Sequence, residues 1–135
     1  MYKNIIVAIA LDHSPDTGKA LNVAKLLAAD GASITALNVI EDIPTYAANH
    51  IPQTHLASRL PEAKAELKAE LGGVKGVTPV VVSGHAGRAI IEYATQQGAD
   101  CIVIASHRPG LQDFFIGSTA SRVVRYAKCA VHVLR

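Results

Sequence analysis

"DCIVIASHRPGLQDFFIGSTASRVVRYAKCAVHVL", residues 100–134, decides how this chain folds. It opens on a short apolar run, "DCIVIAS" (Asp100–Ser106), which reads as a strand covered on both faces. A loop of His, Arg, Pro and Gly follows. Ile116, Ala120, Val123, Val124 and Ala127 then recur at helical spacing. "AVHVL" (130–134) is a second apolar strand. A strand, a crossing helix and another buried strand make a parallel pair joined by a right-handed crossover.

The same grammar runs upstream. "NIIVAIAL" (Asn4–Leu11) is a first strand, and "DHSPDTG" supplies turn and capping residues, with Ser14 before Pro15 as the helix start. Ala20, Val23, Ala24 and Leu27 mark that helix, and Gly31 reads as its C-cap. "SITALNVI" (Ser33–Ile40) is a second strand. Glu41–His55, with Pro44 and Pro52, reads as a long covering loop. Helical spacing returns from Ala57 to Leu71 through Leu60, Ala63 and Leu67, and "GGVKG" breaks it. "TPVVVSG" is a third strand. "HAGRAIIEYATQQG" is a helix with Ala86, Ile90, Ile91 and Ala94 on its apolar face, ending at Gly98. Strands and helices alternate throughout, so the expectation is one α/β domain over residues 1–135. Its five parallel strands take the order 3-2-1-4-5, with helices on both faces.

Composition narrows the classes. Half of the 135 residues are hydrophobic, Trp is absent and aromatics are scarce, so the core must be aliphatic. A net charge of +2 is too near balance for a nucleic-acid footprint. No run approaches about 18 apolar residues, so no membrane insertion is expected. "MYKNIIVAIA" reads as a strand rather than a secretory leader. Cys101 and Cys129 stand in apolar contexts and read as a buried reduced pair. These features together point to the cytoplasm. The six histidines form no short ligand pair, so no metal site is expected. Neither a Gly-x-Ser-x-Gly elbow nor a Walker loop is present, so no catalytic residue is assigned.

In a sheet of this order, ligands bind at the carboxyl ends of the strands where the order reverses, between strands one and four. Asp12 leaves strand one there, and the His107–Arg108 loop leaves strand four. "GST" opens the next helix. Gly117 permits close approach of a ligand, Ser118 and Thr119 add hydroxyls, and the helix N-terminus offers free N–H groups, a suitable cradle for phosphate. The competing reading is an ordinary turn at Gly117 with Ser118 as the helix cap. His107 and Arg108 bring donors and charge. Asp12 offers acceptors to a ribose or a base amine, or holds Mg²⁺ beside phosphates. The main chain near Val39 and Ile40 faces an adenine edge.

These stretches resemble the universal stress protein family across nearly the whole chain. "IVAIALDHSPDTGKAL" is similar to the family's Asp-containing opening. "GHAGRAIIEYA" is similar to its Gly-x-Pro-x-x-x-Ile-x-x-x-Ala segment, with Ala86 where Pro is usual. "ADCIVIASHR" followed by "GSTASRVVRYAKCAVHVLR" carries the most specific likeness. The usual signature is Gly, two residues, Gly, nine residues, Gly and then Ser or Thr. Here Ala105 stands at the first glycine, the second is missing, and the loop is one residue shorter, as in a subgroup with an Ala-Ser-His-Arg-Pro loop. The resemblance implies an adenine-nucleotide pocket for ATP, ADP or AMP, with Mg²⁺ as a companion. Its contacts would come from Asp12, Val39, Ala105, Arg108, Gly117, Ser118 and Thr119, with Ala10, Ser106 and His107 completing the set. Arg108 either binds phosphate or fills the pocket itself. The resemblance also implies a homodimer through the last strand, whose alternative is a strand covered by its own helices. Stress response with little or no turnover is the implied role, alongside an unknown protein partner. Two other readings stay open. One is an interaction protein that binds no nucleotide and acts through its dimer and the Glu41–His55 loop. The other is a slow ATPase or autokinase with Ser118, Thr119 or Ser121 as acceptor.

Overall fold

The computed structural model describes residues 1–11, 16–41, 53–106 and 116–135. The elements run β1 (Tyr2–Ala8), α1 (Asp16–Leu27), β2 (Ala28–Glu41), α2 (Gln53–Leu71), β3 (Val77–Gly84), α3 (Ala86–Gln96), β4 (Cys101–Ala105), α4 (Ser118–Tyr126) and β5 (Ala130–Leu134). The five strands form one sheet in the order β3-β2-β1-β4-β5, and all four neighbouring pairs are parallel. This is the expected architecture.

The continuous apolar runs serve both faces because successive side chains point to opposite sides of a strand. Ile5 and Val7 of β1, Ala36 of β2, and Cys101 and Val103 of β4 pack beneath α1 and α2, against Ala20, Leu21, Ala24 and Leu67. Ile6, Leu37, Ile102 and Ile104 face the other way, against Ile90 and Ala94 of α3 and Ala120 and Val123 of α4. Ile5, Ile6 and Val7 are all fully buried, consecutive residues that could not be hidden together on a sheet with a wet face. Residue-by-residue burial of this aliphatic kind is worth about 1.5–3 kcal/mol per large side chain.

Several boundaries differ from the sequence reading. Gly31 is not a helix cap. α1 stops at Leu27, Ala28 already pairs with Tyr2, and the pairing resumes at Ser33↔Asn4. The residues between bulge out, and Gly31 turns them at φ 76°, a left-handed conformation that favours glycine. α2 begins at Gln53, so Gln53–His55 belong to a helix rather than to the covering loop. The rest of that loop, like Ser14 and Pro15, lies outside the described residues. Val124 was expected on the apolar stripe of the last helix, yet it is 47 % exposed. Ala120 and Val123 suffice to meet the sheet, and Val124 points to the next sector of the helix.

Gly98 does end α3. Its φ is 66°, its N–H donates to the Thr95 carbonyl at 3.2 Å, and the Ala99 N–H donates to the Ala94 carbonyl at 2.9 Å. That pair of bonds is a Schellman motif, and it delivers the chain directly into β4.

Both cysteines are free thiols. Cys101 is buried under α1 and α2, whereas Cys129 is half-buried and packs on the opposite core. Burial, and then the neighbouring Cys129 and Asp100, push the Cys101 thiol up to about 11. Burial also raises Cys129. Among the described residues no helix is long and apolar enough to cross a membrane, and no cluster of three or more His, Cys, Asp and Glu side chains is placed to hold a metal.

Candidate functional site

β1 and β4 are neighbours in the sheet, with Ala8 opposite Ile104 as their last pair. The helices that follow them in sequence cover opposite faces, α1 one and α4 the other. The separation leaves a cleft of about 610 Å³ at the carboxyl ends of the strands, the position that this topology predicts. Its floor is apolar, with Ala8, Leu37, Ile90 and Ile104 among its walls. Polar groups converge from three sides: Asp16 and Thr17 of α1, Asn38 and Glu41 of β2, and Ser106, Gly117 and Thr119 at the ends of β4 and α4.

α4 presents its N-terminus to this cleft. Gly117 is the N-cap, with φ −58° and ψ 153°, and among the described residues no side chain caps the helix. The first helical bond runs from the Ser121 N–H to the Gly117 carbonyl at 2.8 Å. The N–H groups of Ser118, Thr119 and Ala120 therefore precede the intrahelical ladder, and the helix dipole places about half a positive charge beside them. The competing reading of "GST" made Ser118 the cap. Ser118 is instead the first helical residue and makes no capping hydrogen bond. α4 reaches this position by close packing on α3. A Cβ at Gly87 would stand 2.7 Å from Cδ of Arg122, so glycine makes room for the arginine stem.

Six of the ten candidate residues line the cleft: Ala10, Val39, Ala105, Ser106, Gly117 and Thr119. Ser118 is exposed and is not among the lining residues. Asp12, His107 and Arg108 lie outside the described residues. Ser106 also has a different engagement from the one expected of a ligand contact. Its N–H donates to the Leu134 carbonyl at 2.8 Å, and its Oγ donates to the same oxygen at 3.3 Å. Both bonds extend the β4–β5 pairing past Ala105.

Asn38 is the residue that sequence reasoning passed over. It is buried at 7 % exposure, and its Nδ2 donates to the Ile9 carbonyl at 2.9 Å. A lone carboxamide inside the apolar run "ALNVI" was the available signal, since a polar side chain in a doubly covered strand must find a partner. Thr17 was likewise unremarked. Its Oγ1 donates to Oε1 of Glu70 at 3.3 Å, tying α1 to α2 beneath the cleft.

Comparison with known proteins adds to this geometry. The model of the universal stress protein family matches residues 1–135. Universal stress protein A homolog 2 of Coxiella burnetii is 31 % identical over 141 residues, covering 99 % of this chain and 95 % of that protein. The structure of the universal stress protein UspA from Lactobacillus plantarum superposes with a TM-score of 0.75 at 26 % identity, covering 99 % of this chain and 98 % of the other. A crystal structure of a universal stress protein in complex with cAMP superposes with a TM-score of 0.61 at 25 % identity, covering 99 % of this chain and 97 % of the other.

Proposed function

This chain belongs to the universal stress protein family, and from that premise we propose that its cleft binds an adenine nucleotide, ATP or its relatives ADP and AMP, with little or no turnover. One observation carries the reading: the N-terminus of α4, which no described side chain caps, lines an apolar cleft at the switch point of the sheet. Helix-terminal N–H groups at fixed positions suit a phosphate, because they supply donors and positive potential without a reorganisation cost. The apolar walls suit a base and ribose, and Val39, which lines the same cleft as Gly117, offers its main chain to the base edge. Asp16 and Glu41 bring carboxylates to the rim, a donor set that suits ribose hydroxyls or a Mg²⁺ ion accompanying the phosphates. A related protein of the same fold holds cAMP, an adenine nucleotide. Asp12, His107 and Arg108 join the site on the strength of the sequence alone.

In this reading the protein is a single cytoplasmic domain acting in stress response, and its nucleotide sets the surface that a partner protein meets. It pairs as a homodimer through β5. The support for pairing is that β5 is the last strand of the sheet, with Ala130 and His132 exposed and Val131 and Val133 only half-buried. Such an edge is a ready template for a second strand.

Isothermal titration of nucleotide-stripped protein with ATP and Mg²⁺ tests the function. The expected result is saturable binding at one site per chain. Absence of heat at several temperatures, with the protein folded and no ligand carried through purification, overturns it and leaves an interaction protein that needs no nucleotide.

A further inference from the structure

The β1–β2 ladder ends in a way that its register does not require. Ala8 pairs with Leu37, and the Ile9 N–H donates to the Leu37 carbonyl at 2.9 Å. In a parallel pair the next rung would send the Val39 N–H to the Ile9 carbonyl and receive the Leu11 N–H on the Val39 carbonyl. Neither bond is present, and the pairing stops at Ala8↔Leu37. The Ile9 carbonyl is taken instead by the Asn38 side chain, whose Nδ2 lies 2.9 Å away. Leu37 and Val39 are two residues apart on one strand, so their main-chain groups point the same way, toward β1. At Val39, β1 has already left the ladder, and that position lines the cleft.

We infer that Asn38 is a positioning residue: its carboxamide replaces the last rung of the β1–β2 ladder and so leaves the Val39 N–H and C=O open to the cleft as a base-reading edge. The side chain satisfies the Ile9 carbonyl, which burial would otherwise force onto the nearest main-chain donor. That donor is the Val39 N–H. An adjacent N–H and C=O match adenine, which offers the N1 acceptor beside the N6 amine, while guanine presents the opposite order, with O6 as acceptor. Asn38 thereby sets preference for adenine without touching the base. The base-reading part rests on the nucleotide reading above.

Amide hydrogen exchange on the unliganded protein tests the arrangement without any ligand. In the wild type the Val39 amide should exchange at least about a hundredfold faster than the Leu37 amide, whose bond lies within the ladder. In Asn38→Leu, of similar size and lacking the donor, the Ile9 carbonyl should reclaim the Val39 N–H. Its exchange should then slow toward that of Leu37. General loosening of the fold would do the reverse and speed it. Titration with ATP and with GTP completes the test: Asn38→Leu should weaken ATP about tenfold or more through loss of the base contacts, and erase preference over GTP. A wild-type Val39 amide as protected as that of Leu37 overturns the inference. So does a folded Asn38→Leu that keeps both ATP affinity and preference. If the wild type binds no adenine nucleotide, the proposed function fails, and the exchange rates alone then decide whether Asn38 holds the edge open.

Discussion

The two ends of the β1–β4 pair are built on opposite plans. At the amino end, Asp100 closes the seam. Its Oδ2 accepts the Lys3 N–H at 2.8 Å and its Oδ1 accepts the Asn4 N–H at 3.0 Å. Its own N–H donates to the Asn4 carbonyl at 3.0 Å, and Asn4 Nδ2 reaches the Gln97 carbonyl at 2.7 Å. At the carboxyl end the strands part after Ala8 and Ile104, and no described side chain caps the first N–H groups of the helix that follows β4. The lesson is that polar main-chain groups are either satisfied internally or aimed at something that is not the protein. The closed end contributes stability; the open end is where the proposed ligand would sit.

The sharpest way to break this contrast is Gly117→Val. At φ −58° and ψ 153° the backbone accepts any residue, so the variant should fold with an unchanged melting temperature. Gly117 lines the cleft, so a branched side chain there should compete with the ligand, and ATP affinity should fall about a hundredfold by calorimetry. A folded variant with wild-type affinity would remove Gly117 from the site.

Asp100→Ala attacks the other end. Two main-chain donors lose their acceptor at a half-buried position, so urea denaturation should show a loss of about 1 kcal/mol. ATP affinity should not change. A parallel fall in affinity would mean that the two ends are not independent.

Acid sharpens the same point. Partial burial pushes the Asp100 carboxyl up, but the N–H groups of Lys3 and Asn4, its own N–H and the Lys3 charge outweigh this, and the net position is below the ordinary 3.8. A depressed folded value means that the carboxylate's contribution is fully present above 3.8 and is lost as pH falls through the folded value. The stability gap between wild type and Asp100→Ala should therefore be constant near neutrality and close below pH 3.8. A gap that persists in stronger acid would assign the effect to packing rather than to charge.

The smallest effect should come from Ser106→Ala. The hydroxyl bond of 3.3 Å to the Leu134 carbonyl disappears, but the Ser106 N–H keeps the same acceptor. Thermal denaturation should register about 0.5–1 kcal/mol or less. ATP titration should be unaffected, and a marked loss of affinity would return Ser106 to the ligand contacts.

Much of the site was legible because its position follows from topology. Alternating strands and helices dictate where the order reverses, and Gly117, Thr119, Ala105 and Val39 fall there without any knowledge of side-chain packing. Asn38 was not legible as a functional residue. Its importance depends on the register Ala8↔Leu37, which brings its carboxamide to the Ile9 carbonyl, and register is a property of paired strands. Ser106 carries a second role that was illegible for a related reason, although it lines the cleft as expected. Its nearness to the loop suggested a ligand, while β5, which takes both of its donors, is far away in sequence.

Local chemistry in the sequence determined the aliphatic core, the strand and helix periods, the parallel topology and the family resemblance, because each depends on side-chain pattern over short range. Tertiary structure alone decided that Gly31 forms a bulge, that Ser118 begins the helix rather than capping it, that Val124 faces water and that Asn38 ends a ladder. Each of these turns on which main-chain group meets which partner, and those partners are set by residues that become neighbours only when the sheet assembles.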